Sequence, residues 1–128
     1  MRSHHRLDAW REAMELVRCI YSLTATFPKE EIYGLASQMK RSAISVPSNI
    51  AEGAARNSGR EFIQFLYIAR GSLSELETQI LIARNLGYLS DASQVMKQIE
   101  KVFALLGGLI NNVRRKLNHG TLPLTPDT

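Results

Sequence analysis

The chain has 128 residues, 45% of them hydrophobic and 22% charged, with a formal net charge of +4. That leaves room for one domain with a sizeable core, and it excludes a disordered or fibrous composition. The single Cys19 cannot form an internal disulfide, and no apolar run approaches the roughly 18 residues of a membrane helix.

The first ten residues, MRSHHRLDAW, lack the apolar centre of a signal peptide, so a cytoplasmic location is expected. A first helix is expected over residues 8–26, with Asp8 as its N-cap. Trp10, Ala13, Val17, Ile20 and Thr24 form its inner stripe, with Leu16 and Leu23 alongside. Cys19 falls among these apolar residues as a buried, inert thiol. Phe27-Pro28 ends the helix, because the residue before a proline avoids the helical region. A second helix is expected over residues 30–56, starting at Glu30 or Tyr33, with Leu35, Met39, Val46 and Ile50 as its apolar face. Pro47 lies inside it, removes one backbone hydrogen bond and predicts a kink near Ala43.

Asn57-Ser58-Gly59 is a turn, and Ser58 with Glu61 reads as a capping box opening a third helix over residues 59–86. Phe62, Leu66, Ala69, Leu73, Leu76, Ile80 and Ala83 recur there at alternating steps of four and three, the rhythm of a bundle seam. Gly87 stands where a C-terminal cap is needed. Ser90 or Asp91 caps a fourth helix over residues 90–118, with Val95, Ile99, Val102, Leu106, Leu109 and Val113 inside. Gly107-Gly108 costs about 1 kcal/mol per glycine against alanine, which reads as close packing in the bundle or between subunits, with a hinge as the alternative. Residues 119–128 contain Leu-Pro-Leu-Thr-Pro and read as a loose tail. With no strand alternation and short connections, the expected fold is all-α: one antiparallel up-down-up-down four-helix bundle.

A second stripe on the second helix is polar: Ser42, Ser45, Asn49, Glu52 and Arg56. Pairing across the turn at Ser58 sets Asn49 near Ile68, Ser45 near Ser72, and Arg41 or Ser42 near Glu75. Small hydroxyls and Gly71 would let the helices approach, and Arg41 could pair with Glu75. Arg41, Ser42, Ser45, Asn49, Glu52, Ser72 and Glu75 are therefore read as a structural polar seam fixing register at a helix–helix or subunit interface. A di-metal site built on Glu52, Glu61, Glu75 and Glu77 would need the Glu-x-x-His pairs of carboxylate bundles. His4, His5 and His119 stand outside the helical core, and no histidine is placed as a base for the serines. No catalytic residue, cofactor or metal is expected.

The cations are unevenly placed. In an up-down-up-down bundle one pole collects Arg2, Arg6, Arg11, Arg56, Arg60, Arg114, Arg115 and Lys116. Eight cations against Asp8, Glu12, Glu52 and Glu61 leave +4 (eight minus four), while Lys29, Arg84 and Lys97 balance Glu30, Glu31 and Asp91 at the other pole. Complementing a helix C-terminus accounts for Arg114, Arg115 and Lys116 but not for the other five. A polyanion is the partner such a field favours.

The chain also carries Leu7-Asp8-Ala9-Trp10 with Ala13, Phe27-Pro28-Lys29-Glu30-Glu31-Ile32-Tyr33-Gly34-Leu35 and Gln38. Ser45-Val46-Pro47-Ser48-Asn49-Ile50-Ala51-Glu52-Gly53 follows, then Arg56, Glu61-Phe62, Gly71-Ser72, Glu75-Leu76-Glu77-Thr78-Gln79 and Leu86-Gly87-Tyr88-Leu89. As a set, over about residues 7 to 117, these resemble the small four-helix-bundle proteins encoded in intervening sequences of bacterial large-subunit ribosomal RNA genes. The resemblance implies bundles that assemble into homo-oligomeric rings, typically pentamers, without a demonstrated enzymatic activity for most members. The accessory proteins of diversity-generating retroelements are similar in fold and bind nucleic acid together with a reverse transcriptase; extending that to this chain is analogy at the level of fold.

The expected function is a non-enzymatic, ring-forming bundle that binds RNA or DNA electrostatically through its basic pole. No aromatic cluster accompanies the arginines in the sequence, so phosphate contacts with little sequence preference are expected. The alternative is a protein-interaction scaffold, or an adaptor for a nucleic-acid enzyme, whose basic pole meets an acidic partner. No membrane is expected among the partners.

Overall fold

The computed structural model describes His4 and residues 7–118, and among these residues there are four α-helices and no strand. They are α1 (Asp8–Thr24), α2 (Leu35–Ala54), α3 (Gly59–Asn85) and α4 (Ser93–Asn118), with one 3-10 turn, Lys29–Glu31, between the first two. Each helix packs against two neighbours in the cyclic order α1, α2, α3, α4, and the diagonal pairs do not approach closely. Ser45 meets Ser72, and Gly53 meets Phe62 and Phe65, so α2 and α3 run in opposite senses. Arg114 reaches Tyr67, and Gln98 reaches Glu12, across the other antiparallel neighbours. The bundle expected from the hydrophobic period is the bundle observed.

The core runs its full length. Leu16, Ile20, Met39, Ile50, Leu66, Leu73, Leu76, Ile80, Ile99 and Leu106 are fully buried, each worth about 1.5–3 kcal/mol against exposure. Ile63 and Ile110 also point inward, while Phe62 and Leu109, expected inside, are only half-buried. On α1 the inner places go to Ala9, Ala13, Leu16, Ile20 and Thr24. Trp10 and Val17 are half-buried on one flank instead, where the His4 ring meets Trp10 edge-on at 5.1 Å. Cys19, expected buried, is half-buried, and desolvation raises its thiol pKa, which disfavours the thiolate.

The helix ends follow local chemistry. Asp8 is not an N-cap: Leu7 holds that position in extended backbone, and Asp8 is the first helical residue, paired with Arg11. An acid there still suits the positive end of the helix dipole. α1 stops at Thr24, whose hydroxyl donates to the Ile20 carbonyl at 2.8 Å, two residues short of the expected end. α2 begins only at Leu35, because residues 29–31 are wound as a 3-10 turn, and it continues unbroken through the buried Pro47 to Ala54. Ser58 caps α3 by accepting the Glu61 N–H at 3.1 Å, although the Glu61 carboxylate faces the Ser58 hydroxyl (3.5 Å) rather than its backbone. Gly87, at φ +81°, closes α3: its N–H bonds Arg84 and that of Tyr88 bonds Ala83, the paired bonds of a Schellman stop. α4 begins at Ser93, three residues later than expected; Ala92 holds the cap position, its carbonyl accepting the Met96 N–H, and Asp91 just before it accepts the Ser93 N–H at 2.9 Å.

Glu31 ties two of these ends together. One carboxylate oxygen accepts the Leu35 N–H at 2.9 Å, and the other accepts the Tyr88 hydroxyl at 2.8 Å. The Leu35 N–H bond, then the Tyr88 bond, lower the Glu31 pKa below its ordinary 4.5. A depressed folded-state pKa stabilises the fold above the unfolded value and loses that contribution as pH falls through the folded one. Glu31→Gln is therefore expected to melt below wild type at pH 7 and to converge with it in acid. Equal melting differences at pH 7 and pH 3 would contradict the latch.

Glycine decides where α2 and α3 touch. A methyl group at Gly53 would lie 2.7 Å from Phe65 Cβ, 2.9 Å from Phe62 Cδ1 and 3.2 Å from the Phe62 carbonyl oxygen. Gly71, which the sequence marks as the point of close approach, has open space at that position. So do Gly107 and Gly108, so close packing within one bundle does not account for them.

Candidate nucleic-acid interface at one pole of the bundle

The antiparallel order brings the start of α1, the turn between α2 and α3, and the end of α4 to one pole. Of the eight cations assigned there, Arg2 and Arg6 lie outside the described residues. The other six all have exposed side chains. Six cations against Asp8, Glu12, Glu52 and Glu61 leave +2 (six minus four) among the described residues.

Local pairing sharpens this excess. Asp8 is engaged by Arg11, and Glu52 by Arg56 at 2.8 Å across one helical turn. Glu12 faces α4, where it meets Gln98 at 2.9 Å and Lys101 at 3.7 Å. Arg56 also lies over Phe65, its guanidinium carbon 4.9 Å from the ring centre. Among the described residues neither Arg114 nor Arg115 is paired with a carboxylate: Arg114 donates to the Tyr67 hydroxyl, and Arg115 to Asn112 Oδ1 at 3.2 Å.

Two residues of this surface were not singled out from the sequence. Arg70 holds its guanidinium carbon 5.1 Å from the Tyr67 ring centre, and Arg114 holds its own at 5.4 Å. Both arginines are exposed and Tyr67 is half-buried between α3 and α4. The expectation of arginines without aromatics is thus corrected: Tyr67 and Phe65 both carry cations on their rings. The signal was only partly available: counting equal steps outward from Asn85 and Ser93 sets residue 67 against residue 111, and Arg114 lies about one helical turn further along α4. Such a face offers the guanidinium groups of Arg70, Arg114 and Arg115 to anionic oxygens, with the Tyr67 ring beside two of them.

The residues of the polar seam are wired differently from expectation. Ser45 and Ser72 share a hydrogen bond of 2.8 Å across α2 and α3, the register counted from the turn. Asn49 donates to the Ser45 carbonyl at 2.8 Å and its hydroxyl at 2.9 Å, staying on its own helix. Arg41 and Glu75 are both exposed, line one shallow groove with Ser42, Ser45, Ser72 and Gln79, and form no ion pair. Glu52 faces out to Arg56 rather than into the seam. Neutralising Arg41 or Glu75 should accordingly cost the monomer little stability.

Among the described residues no helix is long and apolar enough to cross a membrane. The family model for the 23S rRNA-intervening sequence protein matches residues 5–108 of this chain. The chain belongs to that family. No individually curated protein matches it. The matched span holds α1, α2 and α3 whole and α4 as far as Gly108, and leaves Arg114, Arg115 and Lys116 beyond its end. Ser45 and Ser72 lie inside the matched span, and the last cations of the pole lie outside it.

Proposed function

We propose that this chain is a non-enzymatic, ring-forming helical bundle that binds RNA or DNA through the cationic surface at its α1-start, α4-end pole. The observation that carries the reading is the set of guanidinium groups at Arg70, Arg114 and Arg115, which have no carboxylate partner among the described residues, two of them held over Tyr67. Family membership supports an RNA-related role. Phosphate contacts supply most of the affinity, and the arginine–tyrosine face adds a place for an unpaired base to stack. Repeating the surface around a ring multiplies its field.

The test is a gel-shift titration of the intact protein with unrelated RNA and DNA strands at two salt concentrations. Binding to both, weakening steeply with salt, is the expected result. If neither nucleic acid binds at low salt the reading fails, and the scaffold or adaptor role, with an acidic protein on the same pole, replaces it.

A further inference from the structure

The groove between α2 and α3 sorts its charged groups by wall. From α2 come Gln38, the Arg41 guanidinium and the Ser42 hydroxyl; from α3 come the Glu75 carboxylate and the Gln79 amide. Every lining side chain is polar, around a space of about 420 Å³. Arg41 and Glu75 are exposed on opposite walls, and neither has an ion-pair partner among the described residues. The Ser45–Ser72 hydrogen bond ties the walls together.

The floor holds an unmet group. Gln79 is 5% exposed, and its Oε1 is buried with no hydrogen-bond partner among the described residues. A desolvated carbonyl oxygen left without a donor is destabilising, so the groove contains an acceptor that a ligand N–H would satisfy. Glu75 stands four residues earlier on the same face of α3, near enough for one cationic donor to reach both side chains.

Charge then selects the ligand. A simple anion is drawn by Arg41 and repelled by Glu75, and a simple cation meets the reverse. No aromatic or aliphatic side chain lines the groove, so a nucleobase finds no ring to stack on. A small molecule with one charge of each sign meets both walls. We propose that the groove binds a free α-amino acid, its ammonium donating to Glu75 and Gln79 Oε1 and its carboxylate accepting from the Arg41 guanidinium. This site is independent of the nucleic-acid surface: Ser45 lies about 14 Å along α2 from its end at Ala54, beside the cationic pole.

The test is isothermal titration of the intact protein with glycine and L-serine, using acetate and methylamine as ligands of one charge each. The amino acids should bind with a dissociation constant of about 1 mM or tighter, and neither single-charge ligand should bind at the same concentrations. Arg41→Gln and Glu75→Gln should each weaken binding about tenfold or more; both side chains are exposed, and circular dichroism checks that the helices remain. Gln79→Leu should also weaken binding yet melt no lower than wild type, because it removes the unmet acceptor. A Gln79→Leu protein that loses stability together with binding would make that side chain merely structural and overturn its role. Failure of both amino acids to bind overturns the proposal and leaves water as the partner of Gln79. Binding that acetate or methylamine reproduces, or that survives in Arg41→Gln and Glu75→Gln, overturns it too. Gel shifts with RNA on the same variants read the cationic pole separately and should not change.

Discussion

Gly53→Ala should destabilise the bundle by about 1–3 kcal/mol, the usual cost of overpacking a close contact. In a chain of this size that lowers the melting temperature by roughly 3–6 °C per kcal/mol. The sign makes the test informative. At an unconstrained helical position, glycine to alanine is stabilising by about 1 kcal/mol, so only a steric conflict reverses it. Here the added methyl meets Phe65 Cβ at 2.7 Å and the Phe62 carbonyl oxygen at 3.2 Å. A backbone oxygen and a Cβ cannot swing aside as a side-chain tip can, so α2 and α3 must separate and the contact beside Phe62 loosens. Gly71→Ala, Gly107→Ala and Gly108→Ala are the internal controls, since each has open space at that position. They should raise the melting temperature of the monomer. Stabilisation by Gly53→Ala would sink this account of helix approach, and destabilisation at Gly107 or Gly108 would place another chain against α4.

The contrast between these glycines shows what the sequence makes legible. Local signals transferred almost unchanged: the Ser58 cap, the Gly87 stop and the Ser45–Ser72 register each depend on a few consecutive residues or on counting from a turn. The core was legible as a stripe but not to the residue. The inward place goes to Ile63 rather than Phe62 and to Ile110 rather than Leu109, while Leu66, Leu106 and Val113 keep theirs, so the seven-residue template misses by one residue at single positions. Which glycine touches a neighbour depends on how two helices tilt, and no local pattern encodes tilt. The Arg41–Glu75 pair failed for another reason: both side chains are exposed, and water competes well for surface charges. The basic pole was legible from topology alone. Its aromatic component needed the α3/α4 register, which brings Tyr67 from the middle of one helix to Arg114 near the end of the next.

Reversing Arg114, Arg115 and Lys116 together to glutamate should weaken binding to unrelated RNA and DNA by similar factors, about 100-fold or more at low salt. If the three residues neutralise three phosphates of a duplex, the salt dependence of log affinity should also flatten by about 2.7, at 0.9 per contact. Arg114 and Arg115 have no carboxylate partner among the described residues, so the change removes available positive charge rather than breaking an ion pair seen there. It also puts acids at the negative end of α4, costing about 0.3–1 kcal/mol per residue, too little to unfold a bundle whose core lies elsewhere. Arg70→Glu should lower affinity in the same direction from a different helix, because its guanidinium shares the Tyr67 ring with that of Arg114. Glu75→Gln, on the α2/α3 side, should leave binding unchanged. A triple variant that binds as wild type does, or that loses one sequence and keeps another, would move the site away from this surface or make it sequence-reading. Equal losses on every strand, with the flatter salt slope, fit a surface that holds nucleic acid by its phosphates.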